Sequence, residues 1–248
     1  MIKPKIEAEI EKMRKGGKIA ARILKLIAKA AKPGLTTKEL DILAQKEIKK
    51  SGCKASFFNY HGFPASICTS VNNELVHGIP GSRILREGDI LGVDLGVCCD
   101  GYHVDTAITV GVGKIDFKKQ ELINITKKSL DEGLSIIKPG VKLGDVQHRI
   151  QKIIEGAGFG VIRDLSGHGI GKDLQEFPSI PNFGKPGTGL ELKEGYTIAI
   201  EPMVSMGDWH VEILKDGWTV ITLDHSPTAH FEHTIAVTRD GYEILTKE

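Results

Sequence analysis

The sequence carries no excess of charge of either sign: Lys plus Arg number 33 against 32 for Asp plus Glu. A chain so balanced offers no global field for nucleic acid or for an anionic membrane surface, so any partner must be recognised locally. It also lacks a long uninterrupted apolar run. From Ile2 to Lys32 charged and apolar residues alternate, which excludes a signal peptide or membrane span there and predicts a soluble, cytoplasmic protein. Cysteine is scarce, 4 in 248 residues. Cys53, Cys68, Cys98 and Cys99 lack the CxxC spacing of a zinc site, and adjacent Cys98 and Cys99 would bridge only with strain, so reduced thiols are expected.

What the sequence does contain is a repeat. Lys32-Pro33-Gly34 and the helical run that follows to Gly52 recur as Lys138-Pro139-Gly140 and a run to Gly158. Leu85-Arg86-Glu87-Gly88 recurs as Leu192-Lys193-Glu194-Gly195, and counting forward from each sets Asp94 against Glu201. Looser matches set Asp105-Thr106-Ala107-Ile108 against Glu232-His233-Thr234-Ile235, and His77-Gly78-Ile79 against His168-Gly169-Ile170. This predicts one domain over residues 1–248 made of two pseudo-symmetric halves, about 1–112 and 113–248. Acids that repeat with their scaffold should converge near a pseudo-twofold axis, where a metal pair would sit.

Apolar residues at three- and four-residue steps (Ile6, Ile10, Met13, Ala20, Ile23, Leu24, Ile27) predict a first helix ending before Pro33. Thr36 with Glu39 reads as a capping box opening a second helix to about Lys50, and further helices are expected near 117–136 and 143–156. Strands are expected near 65–71, 89–97, 102–112, 159–165, 196–206, 218–223 and 231–238. The Gly- and Pro-rich stretch from Pro181 to Gly189 should be a surface loop. Helices then strands, twice over, indicate an α+β fold with helices covering an antiparallel sheet.

Alternation along the strands groups the acids. In residues 89–97, Leu91, Val93, Leu95 and Val97 share one face, leaving Gly92, Asp94 and Gly96 on the other. Asp100-Gly101 is a hairpin signal. A turn centred there pairs Asp105 with Gly96, diagonal to Asp94, with Cβ atoms about 7–8 Å apart or slightly less. Glu201, inside Ile198-Ala199-Ile200-Glu201-Pro202, and Glu232, inside Phe231-Glu232-His233-Thr234, are further acids entering apolar strands. Burying carboxylates costs several kcal/mol unless they are paired, protonated or bound to metal. His168, between glycines, adds a nitrogen donor. One imidazole with four carboxylates favours Mn, Fe, Co or Zn over calcium. Each residue also has a plainer reading: a lone Asp after a strand glycine is commonly a turn acid, and the remaining histidines (His61, His103, His148, His210, His225, His230, His233) are expected to be packing or surface groups.

With those residues in hand, the chain resembles the type I methionine aminopeptidases of the M24 metallopeptidases, whose pita-bread fold is shared with Xaa-Pro peptidases and creatinase. The likeness runs along nearly the whole chain through Tyr60-His61-Gly62-Phe63-Pro64, Asn73 to Pro80, Val93-Asp94-Leu95-Gly96, Asp105-Thr106, Gly167 to Gly171, Ile200 to Met203, Asp216-Gly217-Trp218-Thr219 and Glu232-His233-Thr234. The lack of a cysteine-rich stretch before the first helix, and of a long insertion around His168 and Glu201, resembles the compact bacterial form. The resemblance implies two divalent ions: Asp94 on one, His168 and Glu201 on the other, Asp105 and Glu232 bridging. It also implies a nucleophilic water or hydroxide between them that removes the initiator methionine from nascent chains. Glu201 would also move protons, and His77 would donate to the scissile amide.

One position departs from the family pattern. The family usually carries a second histidine seven residues after the ligand histidine, and here that place is Gln175, in Leu174-Gln175-Glu176. An amide still donates a hydrogen bond but cannot become cationic or shuttle a proton, so activity is expected to be retained but altered. The methionine pocket implied by the resemblance is lined by Tyr60, Phe63, Cys68 and Trp218, with Phe57 and Leu174 beside them; soft and aromatic walls suit a thioether. Two alternatives share the fold: cleavage of Xaa-Pro bonds, and a non-catalytic peptide-binding module. Trp218 in its Asp-Gly-Trp-Thr context favours the methionine reading over the first, and the intact ligand positions argue against the second. A monomer is expected. The basic first helix (Lys12, Arg14, Lys15, Lys18, Arg22) offers a ribosome contact, although such runs are ordinarily solvated faces.

Overall fold

A computed structural model describes residues 2–248. Four α-helices form: α1 Glu7–Ala30, α2 Thr37–Lys50, α3 Phe117–Ser135 and α4 Leu143–Gly156. All four match the periodicity of the sequence. In α1 the buried residues Ile10, Met13, Gly16, Gly17, Ala20, Ile23, Leu24 and Ile27 form one stripe. Glycine inside a helix ordinarily costs about 1 kcal/mol against alanine, but a Cβ on Gly17 would overlap the Leu245 carbonyl. The helix can therefore lie close against the C-terminal segment. At the start of α2 the capping box is present: Glu39 N–H donates to Thr36 Oγ1 at 3.3 Å, and Thr36 N–H donates to Glu39 Oε2 at 2.8 Å.

The strands in chain order are β1 Lys54–Ala55, β2 Cys68–Val71, β3 Glu74–Val76, β4 Ile90–Cys99, β5 Tyr102–Gly111, β6 Gly160–Val161, β7 Gly167–Gly169 and β8 Glu176–Ile180. They continue as β9 Thr197–Ile200, β10 Met203–Ser205, β11 Val211–Ile213, β12 Val220–Thr222, β13 Thr228–His230, β14 Glu232–Val237 and β15 Tyr242–Ile244. The main sheet is antiparallel and runs β1-β4-β5-β14-β9-β7-β8, with β2 on β4 and β15 on β14. Two small sheets, β13-β10-β6 and β11-β12-β3, flank it. The expected strand over 196–206 is split in two at Glu201-Pro202, because proline has no N–H to give the ladder. The expected strand over 159–165 shrinks to β6. The stretch from Pro181 to Gly189 is a loop.

The β4–β5 hairpin closes through Asp100 (φ 52°) and Gly101 (φ 80°), left-handed at both central residues as a type I′ turn requires. Its register sets Gly96 opposite Asp105 and Asp94 opposite Ala107, the even-length turn that keeps both acids on one face. α1 packs on β4 and β5, and α3 packs on α4. One apolar core joins α1 and α2 to the first-half strands; a second joins α3 and α4 to β9 and β14.

The internal repeat is visible in the backbone. Gly34 N–H donates to Leu85 O as Gly140 N–H donates to Leu192 O, and the isolated bridge Thr36–Ile84 is matched by Lys142–Glu191. The centre of the sheet, where β5 meets β14, joins the two halves. One expected match fails. His168 lies on β7 beside β9, the place that β2 takes beside β4. Its counterpart therefore lies within Cys68–Val71, whereas His77 follows β3. The shared His-Gly-Ile triplet is a coincidence of composition, since only long-range ladder pairing fixes which segments correspond.

The expectation of reduced thiols is also corrected. Cys53 and Cys99 form a disulfide with Cα atoms 4.7 Å apart, while Cys68 and Cys98 are free. The reason is register: Lys54 pairs with Cys98, so the preceding Cys53 is carried to Cys99. Local spacing cannot reveal a bridge made by strand pairing.

Candidate metal centre

Asp94, Asp105, His168, Glu201 and Glu232, the acids and imidazole singled out in the sequence, come together at the floor of one pocket. Asp94 and Asp105 arrive on the two strands of the hairpin, Glu232 at the start of β14, Glu201 where β9 breaks at Pro202, and His168 in the middle of β7. Side-chain atoms of Asp105, His168 and Glu232 that could ligate an ion lie within 4.8 Å of one another. His168 Nε2 stands 3.8 Å from Glu201 Oε1. The tautomer of His168 is set by its other nitrogen: Nδ1 lies 2.8 Å from the Gly169 carbonyl, which only accepts, so Nδ1 carries the proton and Nε2 presents a lone pair to the site.

The site is electrostatically frustrated when it holds protons alone. Burial, then the neighbouring carboxylates, push Asp94 and Glu232 far above the usual carboxylate range. Burial followed by the charge of Glu201 lifts Asp105 to about 7. Burial lifts Glu201 to about 7 against the opposing pull of His168. Two carboxylate oxygens, Asp94 Oδ1 and Glu232 Oε1, are buried without a hydrogen-bond partner among the described residues. Native proteins rarely leave such atoms orphaned. Four crowded carboxylates, one oriented imidazole and two orphaned oxygens fit divalent cations, and the mixture of oxygen with nitrogen donors fits the transition series.

Around this floor stand His77, Tyr60, Phe63, Cys68, Trp218, Phe57 and Leu174. The cavity measures about 280 Å³. Phe63 and Trp218 meet edge to face with centroids 5.1 Å apart. Cys68 lies directly across from Asp94 on β2, and burial, then that carboxylate, keeps its thiol well above its ordinary pKa. His77 adopts φ 58°, a left-handed conformation unusual for a side-chain-bearing residue. Gly78 behind it packs so close to β2 that a Cβ would overlap Thr69 O. Burial, then the nearby His230, lowers His77 to about 4, so its imidazole is neutral. Gln175 is exposed and lines the same pocket. The loop carrying it is pinned by Glu176, which accepts from Lys5 Nζ at 2.5 Å and from Lys172 N–H at 2.8 Å.

Two residues escaped the sequence reading. His61, expected to be packing or surface, is exposed but lines the pocket. His230, read the same way, is buried with 3 % exposure and sits 3.4 Å from Glu201 Oε2 through Nε2. No local motif marks His230: it reaches the site because β13 pairs with β10, setting it opposite Met203.

Comparison with known proteins follows the same lines. The model of metallopeptidase family M24 matches residues 11–239. The chain is 49 % identical over 247 residues, covering all of both chains, to "Methionine aminopeptidase 1" of Bacillus subtilis (strain 168). The crystal structure of a methionine aminopeptidase from Thermotoga maritima superposes with a TM-score of 0.99 at 48 % identity over both whole chains. A prolidase from Pyrococcus furiosus shares the fold, with a TM-score of 0.81 at 23 % identity, over 99 % of this chain and 65 % of its own.

Proposed function

The chain belongs to metallopeptidase family M24, and from that premise we propose that it is a metal-dependent methionine aminopeptidase, releasing the N-terminal methionine of peptides and nascent proteins. The observation that carries this reading is the convergence of four carboxylates and one imidazole, with two orphaned oxygens among them, under a pocket walled by aromatic and sulfur-bearing side chains. Asp94, Asp105, His168, Glu201 and Glu232 would hold two divalent ions drawn from Mn, Fe, Co or Zn, with Asp105 and Glu232 shared between them. Such ions, when bound, acidify water and polarise the peptide carbonyl.

The remaining steps belong to the protein's own side chains. Phe63, Trp218, Tyr60 and Cys68 take the methionine side chain, whose thioether suits soft and aromatic contacts. His77, held neutral, donates to the scissile amide and orients it over the acids. Glu201 takes up and returns the proton that hydrolysis moves from water to the departing amine, acting as base and then as acid. Gln175, at the mouth, donates to the carbonyl oxygen as negative charge develops on it.

In this reading residues 1–112 and 113–248 act as one catalytic domain, since each contributes acids to a single site. A monomer suffices, because every residue of the site comes from one chain. The substrate, a chain still carrying its first methionine, is met in the cytoplasm. A ribosome contact through α1 would fall mainly to Lys12, Lys18 and Arg22, because Arg14 pairs with Glu243 at 2.6 Å and Lys15 with Asp100 at 3.0 Å.

The test compares release from Met-Ala-Ser with release from Ala-Pro-Ala after chelation and after adding back Mn(II), Co(II) or Fe(II). Activity should vanish on chelation, return with metal and favour the methionyl peptide. Preference for Ala-Pro-Ala would instead make the protein an Xaa-Pro peptidase, and two bound metals without turnover would make it a binding module.

A further inference from the structure

Glu201 lies between two imidazoles, one on each carboxylate oxygen. Oε1 faces His168 Nε2 at 3.8 Å, and Oε2 faces His230 Nε2 at 3.4 Å. His168 is accounted for as a ligand. His230 has no role in the reaction described above, yet its Nε2 is buried without a hydrogen-bond partner among the described residues. Leaving such a group unsatisfied costs about 1–3 kcal/mol, so its placement calls for a reason.

The backbone of His230 is held from two sides. Its N–H donates to Thr109 Oγ1 at 2.8 Å, and the same hydroxyl donates to its carbonyl at 2.9 Å. Its strand β13 sets it opposite Met203, two residues past Glu201. Glu201 itself is less constrained. It stands where β9 ends at Pro202, Asn182 Nδ2 bonds only its backbone carbonyl, at 2.9 Å, and no side chain among the described residues donates to its carboxylate within hydrogen-bond distance. An ionised carboxylate only accepts, so a neutral imidazole facing it presents N–H from the nearer nitrogen, here Nε2. A shift of a few tenths of an ångström that also aims Nε2–H at Oε2 would turn the 3.4 Å contact into a hydrogen bond.

We propose that His230 is a positioning residue of the metal centre: its Nε2–H holds the Oε2 side of Glu201, so that Oε1 stays turned toward His168 and the ion the two would share. This rests on the reading of Glu201 as a ligand. Partners of this kind orient a ligating group and typically govern about 10- to 100-fold in metal affinity.

The test uses the full chain, Co(II) alone as the probe, and calorimetric affinity together with the visible spectrum of bound Co(II). His230→Ala, which removes the donor, should weaken binding about 10- to 100-fold and alter the spectrum, whereas His230→Gln, which keeps an N–H donor, should stay within a few-fold of the parent. In a Glu201→Gln background His230→Ala should cost nothing more, because the two side chains act as one unit. Parent-like binding by His230→Ala, or additive losses in the double variant, would overturn the proposal. So would a His230→Gln protein as weak as His230→Ala, since the imidazole would then itself be a ligand. If His230→Ala does not fold, His230→Leu, which fills the space without a donor, takes its place in the same comparisons. Glu201→Gln alone is the control: unchanged affinity there would remove Glu201 from the ligand set and this proposal with it.

Discussion

Asp105 and Thr234 are bonded to each other twice across the seam between the halves: Asp105 N–H donates to Thr234 Oγ1 at 2.8 Å, and that hydroxyl donates to the Asp105 carbonyl at 2.8 Å. Both residues are buried. The threonine thus fixes the backbone of a candidate bridging ligand to the strand that carries Glu232. Thr234→Val keeps the shape and removes the hydroxyl, leaving two buried backbone groups without a partner. It should lower stability by about 1–3 kcal/mol and weaken Co(II) binding. Urea unfolding and calorimetry read the two effects, and an unchanged midpoint would show that the pair does not secure the seam.

Gln175 should tune turnover more than binding. Loss of one oxyanion donor typically costs about 100- to 1000-fold in kcat, and replacing a cationic donor with a neutral one should cost less. Gln175→Ala is therefore expected to lower kcat on Met-Ala-Ser by at least about 10-fold with little change in KM, and Gln175→His to raise it. If neither variant changes kcat, the residue has no part in the reaction.

The crowded acids give the metal-free protein a defined pH response. In the fold Asp105 and Glu201 both titrate at about 7, against ordinary values of 3.8 for aspartate and 4.5 for glutamate. Between those limits the folded chain keeps protons that the unfolded chain has lost. Their contribution to stability is full below the ordinary values and is lost as pH rises through about 7. Below about pH 6.5 the buried His77, His230 and His233, each lowered to about 4, act in the opposite sense, so melts in EDTA should fall between roughly pH 6.5 and pH 8. Added Mn(II) should stabilise more at the higher pH, because binding displaces protons. Melting temperatures in EDTA that climb over this range would contradict the assignment of these carboxyls.

The Cys53–Cys99 disulfide closes a loop with a sequence separation of 46. A loop of that size is worth up to about 4 kcal/mol through the unfolded chain. Reduction should lower the urea midpoint while leaving kcat unchanged, since neither sulfur lines the pocket. A loss of turnover on reduction, at a temperature where the reduced protein is still folded, would tie the bridge to the site.

Much of this arrangement was legible because it depends on short-range rules. The spacing of Ile10, Met13, Ala20 and Ile27 set α1; Thr36 and Glu39 set the start of α2; Asp100-Gly101 together with strand parity set Asp105 opposite Gly96. Features created by long-range register were not legible. His230 reaches Glu201 through a pairing with Met203, Cys53 reaches Cys99 through β1, and His168 aligns with β2 and not with His77. None of these leaves a trace in nearby residues, because the partner that gives each its meaning lies tens of positions away.

The seam at β5 and β14 has a consequence for synthesis. A growing chain presents Asp94 and Asp105 first and Glu232 last of the four acids and one imidazole, so a ribosome releases the hairpin long before its partner strand exists. Until β14 arrives, β5 is an open edge that invites pairing with other chains, and the acids beside it have neither ions nor a complete pocket. Any chain arrested before β14 is therefore both inactive and prone to association. An enzyme that acts on newborn proteins would itself be vulnerable through most of its own birth.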